Sequence, residues 1–294
     1  MEAWIIYGRK EAEKNSHYID LYRAEGKQRN ITFRLLLAEN ITLGCDQNGC
    51  YLLYEGVRQS TPDFAIIRVI YPLLSFHLEE MGIPIYNSSK VASICNDKAR
   101  TYQFLTARGI RCVPTVFSRH EEVTGKCIEL EKCGVHLSEM VVKTVDGHGG
   151  SQVFLGSDKD NIEKKSGYSD FVIQPKIHGK GQDIRVYVIG NEIVAAVCRS
   201  ATKDFRANFS LGGKVRLYEL LEEERKLVNQ ITRLFSFGMV GIDFIVDDEG
   251  RFLLNEIEDV VGARMLYQCS NINLVGRSLD YIVTDLSKMK VLVK

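Results

Sequence analysis

The chain contains 294 residues, of which 45% are apolar and 26% charged, and its 38 basic and 38 acidic side chains leave no net charge. A neutral chain offers no broad basic field to a phosphodiester backbone, so we expect no nucleic-acid partner. No apolar stretch approaches the ~18 residues of a membrane span, and the apolar run near the N-terminus is too short for a signal peptide. The length allows two domains, or one core with lobes, and we expect a soluble, cytoplasmic protein without a membrane partner.

Eight cysteines are present, and none of them form a CxxC pair. Cys45 and Cys50 are too loosely spaced to be a good metal signature, and the same holds for Cys127 and Cys133. Reduced and mostly buried thiols are therefore the expected state.

The first ninety residues alternate short apolar runs with helical segments. Strands are predicted at 3–7, 31–37, 64–70 and 83–87, and helices at 16–29 and 72–81. Strands that alternate with helices pair in parallel, so residues 1–92 are predicted to form a small open α/β domain.

The rest of the chain mixes helices with antiparallel hairpins. In chain order we predict a helix at 93–108, strands at 141–143 and 171–177, a hairpin at 183–199, a helix at 219–236, a second hairpin at 240–258 and a helix at 274–288. We expect a central lobe at 93–166 and a C-terminal lobe at 167–294.

The second hairpin carries three carboxylates. Glu256 and Glu258 are two residues apart in one strand, so both side chains point to one face. Asp243, in the other strand, points to the same face if an even number of residues closes the turn. Three carboxylates on a rigid ladder repel one another unless a cation joins them, and hard oxygen ligands suit Mg²⁺. A solvated polar face is the alternative, but the apolar residues around the carboxylates indicate largely buried strands.

Two lysines are candidates for binding phosphate. Lys143 ends a strand just before the glycine loop 146–150, whose backbone N–H groups can approach phosphate closely. Lys98 lies in a predicted helix. Each feature is weak alone, because the loop lacks the spacing of a Walker P-loop and a lone helical lysine is usually solvated.

The first hairpin and the segment after it supply further polar candidates. Asp183 and Arg185 open the hairpin. In a regular hairpin Arg185 and Arg199 face opposite sides, so we expect Arg185 rather than Arg199 at a site. The segment 204–208 and the glycines that follow it combine charge, amide and flexible backbone, and a surface loop is the alternative there.

Taken in order and spacing, these motifs resemble the RimK-type branch of the ATP-grasp superfamily, most clearly from about 93 to 265. The resemblance implies an α/β fold, α+β in its C-terminal lobes, in which an N-terminal open parallel-sheet domain precedes two lobes that clamp ATP. It implies an ATP- and Mg²⁺-dependent ligase that phosphorylates a carboxylate and lets an amine displace the phosphate. The implied partners are one or two Mg²⁺ ions, or Mn²⁺, and small-molecule or peptide substrates, and a homo-oligomer is compatible with the sequence.

The resemblance also implies roles for individual residues. It assigns the nucleotide phosphates to Lys98, Lys143, Gly147, Gly149 and Gly150, the adenine edge to Gln174, Pro175, Lys176 and Ile177, the ribose side to Asp183, the reacting groups to Arg185, the terminal phosphates to Arg206 and Asn208, and the metal to Asp243, Glu256 and Glu258. Arg185, Arg206 and Asn208 are thus the predicted catalytic residues.

The sequence departs from the family pattern in four places. Glu258 stands where the third metal ligand is commonly Asn, and Gln152 where the glycine loop often has another Gly. The pair 175–176 replaces the usual acidic and aromatic hinge residues, and proline has no N–H to offer the adenine. The stretch 259–264 lacks the family's usual turn, so a close substrate analogy is unsafe.

Two arginines are candidates for binding a substrate carboxylate. Arg68 ends a predicted parallel strand, where α/β sheets place ligands, and Arg264 follows the metal hairpin. A surface salt bridge is the alternative for each. At the level of function, a phosphotransferase on the same fold and a non-catalytic ATP-binding module are the alternatives. The intact carboxylate trio argues against the second of these.

Overall fold

The computed structural model describes residues 1–148, 152–165, 168–177, 182–200 and 214–292. Within these ranges, no helix has the length and apolar character needed to cross a membrane. The strands are β1 (Glu2–Tyr7), β2 (Thr32–Leu37), β3 (Ile41–Asp46), β4 (Gly49–Tyr54), β5 (Val57–Arg58), β6 (Phe64–Ile67), β7 (Ile85–Tyr86), β8 (Val116–Ser118), β9 (Met140–Thr144), β10 (Val153–Leu155), β11 (Phe171–Pro175), β12 (Gln182–Ile189), β13 (Glu192–Ser200), β14 (Lys214–Tyr218), β15 (Met239–Val246) and β16 (Phe252–Glu258). The helices are α1 (Arg9–Lys14), α2 (Ser16–Gln28), α3 (Pro72–Glu80), α4 (Ser89–Cys95), α5 (Lys98–Thr106), α6 (Val123–Lys132), α7 (Lys159–Lys165), α8 (Glu222–Thr232), α9 (Arg264–Cys269) and α10 (Leu274–Leu292).

The N-terminal sheet is parallel, as the alternation of strands and helices predicts. Its order is β2-β1-β6-β7, and each neighbouring pair runs parallel. One face of the sheet packs on α2 and on the C-terminal helix α10, whose Val275 and Leu279 share a core with Ile5 and Tyr7 of β1. The helix α10 therefore packs on the N-terminal sheet, although the two are far apart in the sequence.

A small antiparallel sheet of β3, β4 and β5 covers the other face, in a segment for which the sequence predicts no element. Leu43 and Leu52 of this sheet pack with Leu74 and Leu78 of α3. These strands are short and contain glycine, cysteine and exposed polar residues, so they carry no clear apolar alternation.

The helix predicted at 93–108 is two helices, α4 and α5. Asp97 interrupts it with an extended backbone, and its side chain accepts a hydrogen bond from the backbone N–H of Arg100. Aspartate is among the preferred N-cap residues because its carboxylate satisfies an N–H group that the helix leaves unpaired. The break places Lys98 in the first turn of α5, where the residue is only 6% exposed.

Two further sheets form the remainder of the fold. The central sheet has the order β10-β9-β11-β8, so β11 pairs with this sheet although it follows residue 166. The larger sheet has the order β14-β13-β12-β15-β16 and contains both predicted hairpins. Its buried face packs on α8 and on α4 and α5, which brings the loops of the central sheet to the polar face of β15 and β16.

Candidate active site

A β-bulge in the first hairpin decides which way Arg199 points. Val188 pairs with Ile193 and Tyr187 pairs with Ala195, so Val194 is the extra residue. Beyond the bulge, Asp183 lies directly opposite Arg199. The prediction that Arg185 and Arg199 face opposite sides is wrong, because one inserted residue reverses the alternation of every side chain that follows it.

A second bulge aligns the carboxylates of the other hairpin. Residues 247–251 form a five-residue connection, and Phe244 pairs with Leu254. In a regular ladder that odd count would turn Asp243 away from the glutamates. The structure instead pairs Asp243 with Glu256, which leaves Asn255 as the extra residue. The expected common face is confirmed, but the bulge produces it rather than an even turn.

Two buried arginines hold Asp243. Nε and Nη2 of Arg185 each donate to one carboxylate oxygen of Asp243 at 2.7 Å. Nη2 of Arg199 lies 2.8 Å from Asp243 Oδ2 and also binds Asp183. Burial opposes ionisation of Asp243, but the two guanidinium groups outweigh it and hold the pKa of this carboxyl well below its usual range. Asp243 is therefore charged and buried, and both of its carboxylate oxygens accept hydrogen bonds.

Glu258 lies at the outer edge of this network. Its Oε1 is 2.7 Å from Nη2 of Arg185, and its side chain is 31% exposed, whereas that of Asp243 is 4% exposed. Burial raises the pKa of Glu258 above its ordinary value, although Arg185 opposes the shift. Arg185 thus lies between Asp243 and Glu258 and neutralises both, with two contacts to Asp243 and one to Glu258.

The two predicted phosphate lysines meet in one place. Nζ of Lys143 donates to Asn255 Oδ1 at 2.9 Å. Nζ of Lys98 donates to the carbonyl of Gly147, and it lies 3.4 Å from Oε1 of Glu256. Burial, together with the neighbouring charge of Lys98, lowers the pKa of Lys143 to about 8. Two ammonium groups and one carboxylate leave an excess of positive charge, which suits an anionic phosphate chain.

His148 also faces this cluster. Its Nδ1 is 3.9 Å from Oε1 of Glu256. Burial, followed by the charge of Lys98, lowers the pKa of His148, so the ring is neutral at physiological pH. A neutral imidazole adds no charge to compete with the two lysines.

The donor set fits a hard divalent cation, with a condition on its geometry. Carboxylate oxygens are the ligands that Mg²⁺ prefers, and Glu256 and Glu258 are the partly exposed members of the trio. Within the described ranges, the oxygens of the three carboxylates do not all lie within 4.8 Å of one another. Both oxygens of Asp243 accept from arginines, so a cation bound to this residue would share its oxygens with Arg185 and Arg199.

Some residues assigned to nucleotide binding make hydrogen bonds within the protein, and others lie outside the described residues. Gln174 is buried and its Nε2 donates to Thr115 Oγ1 at 2.8 Å. Beyond Pro175, the backbone N–H of Lys176 donates to Glu139 O at 2.7 Å, so neither of these two residues has a backbone N–H left to meet a base edge. Gly149, Gly150, Arg206 and Asn208 lie outside the described residues.

The two predicted substrate arginines differ sharply in exposure. Arg68 is 7% exposed, and its Nη2 donates to Val261 O at 2.8 Å. Its guanidinium also lies over the rings of Tyr7 and Tyr18, 5.9 and 5.5 Å from their centroids. Arg264, at the start of α9, is exposed. Arg68 thus binds the turn that precedes Arg264 and does not face open solvent.

Sequence reasoning missed three groups that the structure brings to the site. The alternation of a regular hairpin places Arg199 on the face opposite the site. Asn255 lies next to the expected ligands but belongs to no predicted motif. Tyr102, a buried residue of α5, donates from its hydroxyl to Asn255 O at 2.5 Å. Asn255 is the one with a usable signal, since it is a polar residue that directly follows the buried apolar run at the start of the strand.

Comparisons with known proteins agree on one family. The family model of the RimK-like ATP-grasp domain matches residues 95–282. Beta-citrylglutamate synthase B from Homo sapiens is 27% identical over 297 residues, which cover 95% of this chain and 76% of that protein. A probable alpha-L-glutamate ligase from Legionella pneumophila (strain Corby) is 31% identical over 213 residues, which cover 70% of this chain and 69% of that protein. The structure of the ATP-grasp ligase PsnB complexed with minimal precursor, Mg and ADP aligns with a TM-score of 0.67 at 15% identity over 97% of each chain, which establishes a common fold.

Proposed function

The chain belongs to the RimK-like ATP-grasp family of ATP-dependent carboxylate–amine ligases, and on that premise we propose that it activates its carboxylate substrate as an acyl phosphate and transfers the acyl group to glutamate. The observation that carries the proposal is the pair of lysines beside Glu256, of which Lys98 is buried and Lys143 partly buried. Ligation by this route requires phosphates held in line and their negative charge neutralised, and it requires little covalent help from side chains.

Lys98 and Lys143 bind the phosphate chain of ATP. Each ammonium group is already fixed by a hydrogen bond to a neighbour, Lys98 by the carbonyl of Gly147 and Lys143 by Asn255. Groups held in this way need little reorganisation when phosphate arrives. The depressed pKa of Lys143 supports the assignment, because a buried ammonium that lacks sufficient counter-charge gains most from a bound anion.

Glu256 and Glu258 hold magnesium, with Asp243 as a further ligand whose oxygens the ion shares with the two arginines. The ion supplies neutralisation of the charge that develops on the phosphate oxygens. The carboxylates suit Mg²⁺ and also Mn²⁺, and the extra negative charge of Glu258 favours a second ion. Arg185 contacts both Asp243 and Glu258, so its side chain would shift when a cation competes for either carboxylate.

The remaining family assignments stay part of the same proposal. The backbone of 174–177 meets the adenine, Asp183 lies on the ribose side, and Arg206 and Asn208 lie beside the terminal phosphates. Asp183 is bound to Arg199, so its carboxylate is charged and oriented before nucleotide arrives.

Glutamate is proposed as the amine because two relatives are named for products or activities that contain it. A bound glutamate has two carboxylates that do not react when its amine is acylated, and arginine forks match carboxylates well. Arg264 is exposed beside the turn that follows Glu258 and can meet one of them directly. Arg68, held against Val261, supports the same carboxylate by positioning that turn.

A substrate screen tests the function. ADP release is measured with a panel of carboxylate donors (hydroxy acids, N-acyl amino acids and short peptides), each with and without glutamate or other amino acids. We expect release that requires a donor and glutamate together, and product of the corresponding mass. ADP release with a donor alone, with a stable phosphorylated product, would favour a phosphotransferase. ATP binding without release under any condition would favour a non-catalytic module.

Lys143→Ala is the control for a contaminating ATPase, since its loss of the phosphate lysine should remove the donor- and glutamate-dependent signal. If the variant releases ADP as the wild type does, the signal does not come from this site.

A further inference from the structure

We propose that Cys45, Cys50 and His77 bind a zinc ion that ties the β3–β4 hairpin to helix α3. This site lies in the N-terminal domain and uses none of the residues assigned to ATP, magnesium or substrate. One ligand atom from each of the three residues lies within 4.8 Å of the other two, and within the described ranges no other three His, Cys, Asp or Glu residues do so.

Both thiols lie on the face of the hairpin that packs against helix α3. Cys45 and Cys50 are directly opposite in the antiparallel ladder, and their Sγ atoms are 3.2 Å apart. They share a face with Leu43 and Leu52, which pack against α3. Cys45 is exposed and Cys50 only partly buried, so neither thiol serves as an ordinary small core residue.

His77 supplies the third ligand from the helix. The residue is 7% exposed, and its Nε2 is 2.9 Å from the carbonyl oxygen of Tyr51. A carbonyl only accepts, so Nε2 carries the proton and Nδ1 keeps the lone pair that a metal requires. Metal-binding histidines commonly use this arrangement, in which the second ring nitrogen donates to a backbone carbonyl and fixes the ring.

The distance between the two sulfur atoms suits zinc without a large rearrangement. Bond lengths of about 2.3 Å to sulfur and about 2.0–2.1 Å to nitrogen place tetrahedral ligand atoms about 3.6–3.8 Å apart. The two sulfurs need to separate by only about half an ångström from their 3.2 Å contact, which small rotations of exposed side chains allow. Two thiolates and one imidazole are soft and borderline ligands that favour zinc over magnesium.

The hairpin and α3 already share apolar contacts, through Leu43 and Leu52 on one side and Leu74 and Leu78 on the other. Binding at the site adds a metal link between β3, β4 and α3. Both thiols must lose their protons when the metal binds, so binding releases protons to solvent. The fourth position of the ion stays open to water on the exposed side of Cys45.

Metal binding to the reduced full-length protein tests the proposal. After treatment with a chelator, zinc is titrated in the presence of excess Mg²⁺, which occupies the carboxylate site, and cobalt is used as a spectroscopic probe. We expect one equivalent of zinc and, with cobalt, the thiolate-to-metal charge-transfer absorption that carboxylates do not produce. Zinc should also raise the Tm of the protein.

Cys45→Ser and Cys50→Ser should each lower zinc affinity by more than the roughly 10–100-fold that is typical for loss of an outer partner. Cys133→Ser, at another exposed thiol, is the matched control and should bind zinc as the wild type does. His77→Gln should also weaken binding, and if this buried change prevents folding the two cysteine variants still decide the matter. The proposal fails if no zinc binds, if the cobalt complex lacks the charge-transfer band, or if Cys45→Ser binds zinc as tightly as Cys133→Ser does.

Discussion

Replacing Arg199 with leucine should destabilise the protein by about 3–5 kcal/mol, the usual result of removing one partner from a buried ion pair. The side chains of Arg199 and Asp183 are only 9% and 10% exposed. Asp243 keeps the two hydrogen bonds from Arg185, but Asp183 loses its guanidinium partner and stays buried. The expected loss is a large part of the roughly 5–15 kcal/mol that holds a typical domain folded.

Urea unfolding measures this effect. Far-ultraviolet circular dichroism follows the whole chain, and the fluorescence of Trp4, the single tryptophan, follows the N-terminal domain. Recording both shows whether the two regions unfold together, which a free energy of unfolding requires. We expect a lower urea midpoint with an unchanged slope.

A control variant and a double variant test the same reasoning. Arg251→Leu removes a half-exposed arginine that pairs with Asp247 and Glu249 in the connection between β15 and β16, and it should lower the urea midpoint far less than Arg199→Leu does. The double variant Asp183→Leu/Arg199→Leu removes both charges and should recover most of the stability, because no buried charge remains unpaired. The reasoning is refuted if Arg199→Leu costs no more than Arg251→Leu, or if the double variant is no more stable than Arg199→Leu.

Three further predictions concern the active site. Glu256→Gln should lower turnover on the order of 10²-fold or more while the fold survives, because it weakens the site that neutralises phosphate charge; near-native activity at limiting Mg²⁺ would show that the metal is held elsewhere. Lys143→Ala should weaken ATP far more than adenosine in calorimetry, because the lysine meets phosphate and not base; equal losses would remove Lys143 from the phosphate site. Arg264→Ala should raise KM for glutamate and leave KM for ATP nearly unchanged, as expected when only uniform binding of a non-reacting group is lost. Arg68→Ala should have the same effect because it releases the turn that positions the non-reacting carboxylate. An equal rise in both KM values would mean that the arginines hold the fold rather than the substrate.

The buried arginine network gives the site a specific form of pre-organisation. Asp243 is neutralised by Arg185 and Arg199 in the structure, so the positive charge of the arginines is already balanced before any ligand is present. A divalent cation bound at Glu258, as we propose, would compete with Arg185 for that carboxylate. Metal binding and the position of Arg185 would then be coupled through Glu258.

Much of the molecule follows from the sequence because local patterns determine it. Apolar runs alternating with helices give the parallel N-terminal sheet, since buried strands need apolar residues on both faces and helices to cover them. The family is also determined by the sequence, because the chemistry of phosphate and metal requires particular residue types in a fixed chain order. Lys98, Lys143 and Glu256, all three named from the family resemblance, lie close together in the structure.

Only the tertiary structure decides which side chains face the site. The bulges at Val194 and Asn255 each insert one residue, and the periodicity of a strand does not reveal where an insertion is tolerated. They bring Arg199 to Asp183 and align Asp243 with Glu256. Likewise, the loose spacing of Cys45 and Cys50 indicates no metal site, and His77 joins them only because α3 packs beneath the hairpin. Spacing along the chain determines which residues share a face within one element, whereas contacts between elements depend on packing that forms only when the whole chain has folded.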